Sequence, residues 1–222
     1  MDTWSGQRVL VTGASSGIGA ALARELASAG ATVGMCARRT EMLHAVLADC
    51  RRHVPECRAW TVDLSVLDQV DTFARDVEEQ LGGVDVLVHN AALGGHGGAL
   101  TTPWDDVEYL TRLDYLSPVR LTRALLPDML ARASGHVVVV SSMAAVASSP
   151  GESAYAAAKA ALSTYFEALA TEHWGGGVAF HLVYPALIDL TPGVDGDDSL
   201  AETPNAGDRI PAPVLARAMM RQ

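Results

Sequence analysis

Tyr155 and Lys159 stand four residues apart in the alanine-rich run SAYAAAKAA, so one turn of helix puts both side chains on the same face. A free phenol titrates near a pKa of about 10 and is a poor base at neutral pH. A fixed ammonium beside it favours the phenolate and is expected to draw that value down, as proton exchange with a carbonyl/alcohol pair requires. Thirteen positions before Tyr155 comes Ser142, after the apolar run His136 to Val140. That run reads as a fully buried strand, which puts the Ser142 hydroxyl at the strand's C-terminal end, where open α/β sheets bind ligands, ready to hold a substrate oxygen beside Tyr155. Alone this says little, because Tyr-x-x-x-Lys is a common accident and two serines can simply end a strand.

The start of the chain supplies the element that must position this pair. Arg8 to Val11 is a short apolar run that leads directly into Thr12-Gly13-Ala14-Ser15-Ser16-Gly17-Ile18-Gly19 and then the helical pattern AALARELASAG. Strand, glycine-rich turn and helix start follow without a gap, the context a dinucleotide-binding motif demands. Gly13 allows the tight turn, Gly17 lets the backbone approach a pyrophosphate, and Gly19 permits close packing of helix on strand. Free N–H groups of Ser15, Ser16, Gly17, Ile18 and Gly19, with the helix dipole, would favour the phosphate charge. After Gly30, ATVGMCARR reads as a second strand ending in Arg38 and Arg39. In this topology an acid at that place accepts from a ribose 2′-hydroxyl, whereas arginine accommodates a 2′-phosphate, so NADP(H) is preferred over NAD(H). Arg38 is the better candidate, and two solvated surface arginines are the other reading.

The loop from Thr12 to Gly19, together with Asn90-Ala91-Ala92, Ser142 and Tyr155-x-x-x-Lys159, resembles the short-chain dehydrogenase/reductase family from about Arg8 to Ile188. The glycine spacing resembles the hydride-transfer branch more than the epimerases and dehydratases. The resemblance implies that Tyr155 transfers the proton, that Lys159 lowers its pKa and binds the nicotinamide ribose, and that Ser142 orients the substrate. It implies that Asp63 of Asp63-Leu64-Ser65 meets the adenine amino group; the same carboxylate could instead cap the helix expected from Ser65 to about Leu81. Asn90 and Ala91 would let the cofactor lie close to backbone. Pro185-Ala186-Leu187-Ile188 resembles the Pro-Gly-x-Val/Ile segment that lies against the nicotinamide. Ala186 replaces its glycine, and Leu190 stands where a threonine is common, with Thr191 adjacent.

Asp114 is the main departure from that family's pattern, standing where an asparagine usually holds a proton-relaying water. Aspartate can accept from such a water but cannot donate, and its charge opposes phenolate formation. An alkaline activity optimum is expected, the other reading being lost turnover.

Further strands are expected at 58–62, 84–88, 136–140 and 178–183, alternating with helices, which argues for one doubly wound parallel sheet in a single domain spanning 1–222. Thr102 should cap a helix with Pro103, Asp105 and Asp106 in its first turn, and Pro118 should kink or restart it. His96, in the loop GGHGG, could touch substrate, though a lone loop histidine is more often solvated. Residues 191–211, acidic and rich in glycine and proline, read as a mobile loop at the substrate mouth. The chain stops where that family adds a final edge strand, so a sheet one strand short is expected.

A net charge of -10 and a pI near 5.0 leave no electrostatic footprint for nucleic acid or an anionic membrane. Cys36, Cys50 and Cys57 are odd in number without Cys-x-x-Cys spacing, so reduced thiols, no disulfide framework and no metal site are expected. With neither a spanning apolar run nor a signal-peptide core, the expectation is a soluble, cytoplasmic protein. By the resemblance it acts on a small-molecule carbonyl or alcohol and forms a homodimer through its two long helices, near 104–131 and 154–174. A binding protein that keeps the dinucleotide site without catalysis is the second reading.

Overall fold

The computed structural model describes residues 4–95, 97–185, 188–189 and 210–220. Six strands, β1 (Arg8–Thr12), β2 (Thr32–Ala37), β3 (Arg58–Thr61), β4 (Val86–His89), β5 (Gly135–Val140) and β6 (Val178–Val183), form one parallel sheet in the order β3-β2-β1-β4-β5-β6. Both faces are covered, which is why the central strands read as unbroken apolar runs. Strand alternation sends Val9, Val11, Val33, Met35, Val86 and Val88 to one face, against α1 (Gly17–Ser28) and α2 (Thr40–Arg51). It sends Leu10, Leu87, Val137 and Val139 to the other, against α3 (Leu67–Leu81), the two helices of 104–131 and a long helix that carries Tyr155.

Strand order reverses between β1 and β4, so the C-terminal ends of these two neighbours open a crevice at the topological switch point. The loops that carry the candidate site residues are arranged around that crevice. Helices α4 (Trp104–Thr111) and α5 (Ser117–Ala131) are separated by a π-helical turn, Arg112–Leu116, and α6 (Ser153–Glu172) follows a short 3₁₀ turn at Met143–Ala145.

Three sequence expectations are corrected by backbone chemistry. Thr102 is not the cap of α4: its N–H and hydroxyl both donate to Gly98 O, at 2.9 and 3.0 Å, and the extended Pro103 (ψ 144°) takes the capping position. Asp63 does not cap α3, because its Oδ1 is taken by the N–H and hydroxyl of Ser65 at 2.9 and 2.7 Å, a local turn that delays the helix to Leu67. Residues 191–209 of the expected loop lie outside the described residues, but Ile210–Pro211 form a strand, β8, paired in parallel with β7 (Ile188–Asp189). Helix α7 (Ala212–Met219) then returns to α1, where Arg217 donates to Glu25 at 2.9 Å and Ala216 is fully buried.

Cys36, Cys50 and Cys57 are all buried and unpaired. Among the described residues no helix is long and apolar enough to cross a membrane.

Candidate active site

Thr12, the last residue of β1, joins the two sides of the crevice. Its buried hydroxyl donates to Val88 O at 3.2 Å and accepts from the N–H groups of Asn90 and Ala91, each at 3.0 Å. Asn90 replies with its amide, which donates to Thr12 O and Gly13 O at 2.9 and 3.2 Å. The glycines are required by this closeness. Gly13 has φ +69°, and a Cβ there would lie 2.6 Å from Ala91 Cα; a Cβ on Gly19 would lie 2.5 Å from Asn90 Nδ2 and 2.6 Å from Gly13 O. Gly19 thus packs against the loop and Asn90 rather than against a strand.

Helix α1 begins at Gly17 (φ +54°), and Ser16 at its capping position makes no side-chain cap. The first N–H groups of a twelve-residue helix therefore face the crevice with the positive end of its dipole, which suits a phosphate group. Arg39 reaches the same loop, donating through Nε and Nη2 to Ser15 Oγ at 3.2 and 3.1 Å and through Nη2 to Ser16 Oγ. Arg38 points elsewhere. Its guanidinium carbon lies 5.5 Å from the centre of the Tyr109 ring, and Nη1 is 3.9 Å from Asp63 Oδ2. Leu64, next to Asp63, is buried in the sheet core.

At the other side of the crevice Ser141 is tied to Ser163 of α6 through their hydroxyls at 2.7 Å, and strand alternation turns Ser142 the opposite way. Ser142 Oγ accepts from Ala144 N–H at 3.1 Å, which leaves its own proton to give, and its hydroxyl lies close enough to the Tyr155 phenol to favour the phenolate. Lys159, fully buried, donates to Val140 O at 3.2 Å and holds its ammonium 5.8 Å from the centre of the Tyr155 ring. Burial lowers its pKa, and the Asp114 carboxylate works against that.

The expected fall in the Tyr155 pKa is not found. Burial of the phenol dominates and raises it, the neighbouring Ser142 hydroxyl pulls it back, and the negative charges of Asp114 and Glu152 push it up further. The ammonium sits over the ring, so its spacing in the helix did not by itself bring it to the hydroxyl.

Asp114 lies beneath this pair, completely buried, with Oδ1 accepting from Leu93 N–H at 3.1 Å and Oδ2 meeting no donor among the described residues. Desolvation pushes its pKa up to about 6, against the pull of Lys159 and the Leu93 N–H. The π-helical turn carries Asp114 there, and Pro118 explains the turn. Proline has no N–H for the carbonyl of Asp114 and its ring crowds that carbonyl, so the backbone widens and Ser117 N–H bonds back to Arg112 O instead. Pro118 thereby restarts the helix as α5.

Two contributors carry no sequence signal of their own. His89, at the end of β4, is buried, bonded through Nε2 to Thr122 Oγ1 at 2.6 Å, and pushed down to about 3 by burial and the nearby Lys159 charge. It stays a neutral, positioning imidazole. Tyr109 meets Arg38 from 71 positions away in the chain. Of the segment expected at the nicotinamide, Pro185 accepts from Met143 N–H at 3.3 Å and Ile188 opens β7; Ala186, Leu187, Leu190, Thr191 and the loop residue His96 lie outside the described residues.

A parallel sheet in this order, with a glycine-lined helix start at its switch point, defines a doubly wound α/β protein of the Rossmann type. The model of the family described as short chain dehydrogenase matches residues 7–199, and the chain belongs to that family. It is 37% identical over 194 residues to a short chain dehydrogenase of Pseudocercospora fijiensis, covering 86% of this chain and 63% of that protein. It is 36% identical over 222 residues to a fatty acyl-CoA reductase of Mycobacterium tuberculosis, covering 96% of this chain and 71% of the relative. The chain thus spans about two thirds of these relatives' length. A metagenomic short-chain oxidoreductase solved in complex with NADP superposes with a TM-score of 0.79 at 37% identity, over 83% of this chain and 86% of the other.

Proposed function

We propose that this chain is an NADP(H)-dependent oxidoreductase that interconverts a carbonyl and a secondary alcohol. The observation that carries the reading is the meeting of Ser142, Tyr155 and Lys159 on one side of a crevice whose other side is the uncapped, glycine-lined start of α1. A nicotinamide dinucleotide, when bound, supplies or accepts the hydride. Gly13, Ser15, Ser16, Gly17, Ile18 and Gly19 would hold its pyrophosphate. Asp63, Leu64, Asn90 and Ala91 would meet the adenosine half, and Lys159, Pro185 and Ile188 the nicotinamide half.

The protein's own part is a proton. The raised pKa of Tyr155 keeps the phenol protonated at neutral pH, poised to donate to a carbonyl oxygen that Ser142 holds, which favours reduction. In the oxidative direction the same phenol must first lose its proton. Asp114 would accept from a water that passes protons toward Lys159. Two arginines at the end of β2 and no acid there support NADP(H) over NAD(H).

Exposed Leu93, Met143 and Val146, on loops at the C-terminal end of the sheet, support an apolar carbonyl compound as the substrate. The named activity of the mycobacterial relative is in keeping with that class. The alanine-rich α6 and the neighbouring α5 would pair two copies into a homodimer. Three buried free thiols suit a reducing, cytoplasmic setting, and the acidic balance suits neither nucleic acid nor an anionic membrane surface.

A panel of ketones, aldehydes and acyl thioesters assayed with NADPH and NADH tests the reading. NADPH-dependent turnover of an apolar member supports it. Tight NADPH binding with no turnover on any member would favour the binding-protein alternative.

A further inference from the structure

We propose that Tyr109 is a positioning residue for cofactor selectivity: its ring holds the Arg38 guanidinium in place and keeps the N–H fork available to a 2′-phosphate. The inference rests on the NADP(H) reading above and adds the device that makes Arg38 selective.

The two residues come from different layers, Arg38 from the end of β2 and Tyr109 from α4, and meet with 5.5 Å between the guanidinium carbon and the ring centre. A planar guanidinium offers two distinct surfaces: its face stacks on an aromatic ring, and its edge presents a fork of donors matched to phosphate oxygens. A ring that takes the face therefore does not compete with an anion at the edge. Arg38 is half exposed, and a long arginine free in water would give up much rotamer freedom on gripping a phosphate. Contact with the ring removes part of that loss before the ligand arrives.

Asp63 is the other neighbour. Its Oδ1 is fixed by Ser65, and its Oδ2 stands 3.9 Å from Arg38 Nη1, a loose pair between two solvent-touched side chains. Such a pair is weak enough to yield to a phosphate dianion. Arg39, bonded to the loop hydroxyls of Ser15 and Ser16, is placed for the pyrophosphate side, so the two adjacent arginines divide the work.

The test is calorimetric titration of the whole chain with 2′,5′-ADP and with 5′-AMP, two probes that differ only in the 2′-phosphate, in wild type, Tyr109→Leu, Tyr109→Phe and Arg38→Ala. Wild type is expected to prefer 2′,5′-ADP. Tyr109→Leu should lose roughly three- to fivefold in affinity for 2′,5′-ADP and nothing for 5′-AMP, while Tyr109→Phe, which keeps the ring, behaves as wild type. Equal losses for both probes in Tyr109→Leu would mark a merely structural role and overturn the inference, as would an unchanged preference. An unchanged preference in Tyr109→Leu that Arg38→Ala abolishes overturns the tyrosine's role alone and leaves the cofactor reading standing. A wild-type chain with no preference for 2′,5′-ADP overturns both.

Discussion

Asp114 and Lys159 are a buried acid and a buried base, and each shifts the other's titration against the direction that burial imposes. Desolvation drives the Asp114 pKa up and the Lys159 pKa down, and their mutual attraction restrains both. Burial wins on each side, so the acid beneath Tyr155 titrates at about 6, inside the range in which a cell or an assay works.

That value has a consequence for stability. A carboxyl whose folded pKa is about 6, against an ordinary 3.8, binds its proton more tightly folded than unfolded. Its ionisation therefore costs the fold nothing below about pH 4, and the cost grows between about pH 4 and 6 to a maximum of about 3 kcal/mol above that. Replacing it by the neutral isostere should remove the cost. Asp114→Asn is expected to melt at a higher temperature than wild type at pH 8, with the difference shrinking as pH falls through 6 toward 4. A melting difference independent of pH would contradict the buried-carboxylate assignment.

The same charge opposes ionisation of Tyr155. Measured in the alcohol-oxidising direction, where the phenol must be deprotonated, the rate should rise with pH on the alkaline side. In Asp114→Asn that limb is expected to move to lower pH. A limb that does not move would remove Asp114 from the proton path and leave it a packing residue.

Gly13 offers a test of the cradle. Its positive φ of +69° and the 2.6 Å that would separate a new Cβ from Ala91 Cα mean that Gly13→Ala strains the turn and pushes the loop off Asn90-Ala91. A loss of about 1–3 kcal/mol in stability is expected, together with weakened NADPH binding by at least tenfold, both read in one set of melting curves and titrations. Alanine tolerated at no cost in binding would mean that the phosphates lie elsewhere.

His89 supplies a prediction from its partner. Thr122→Val keeps the shape at that contact but removes the hydroxyl bonded to the buried Nε2, and an orphaned polar atom in the core costs about 1–3 kcal/mol. Chemical denaturation of the variant measures it. A neutral result would show that the imidazole finds another partner.

How much of this was legible in the residues follows from what each signal measures. Continuous apolar strands at 8–12, 32–37 and 135–140 separated by helical patterns give the doubly wound sheet, because a strand covered on both faces has no polar alternation. The glycines of the first loop were readable because only their backbone freedom and lack of a Cβ explain their spacing. Pro118 announced a restart of its helix but not the π-helical turn that buries Asp114, since the widening depends on how the preceding carbonyl escapes the ring. The four-residue spacing of Tyr155 and Lys159 gave a shared helix face and no measure of burial, and burial decides the direction of the phenol's pKa. The contact of Tyr109 with Arg38 and the bond of His89 to Thr122 join distant stretches of chain, for which local patterns hold no signal.

The central claim, that Tyr155 moves the proton while the first loop holds the cofactor, is tested most directly by Tyr155→Phe with two readouts on the same sample. The account predicts that NADPH-dependent reduction of the best carbonyl substrate falls by about 10²–10⁴-fold while the NADPH dissociation constant stays within about threefold of wild type, a shift of under 1 kcal/mol. Turnover that survives the loss of the phenolic hydroxyl would contradict it.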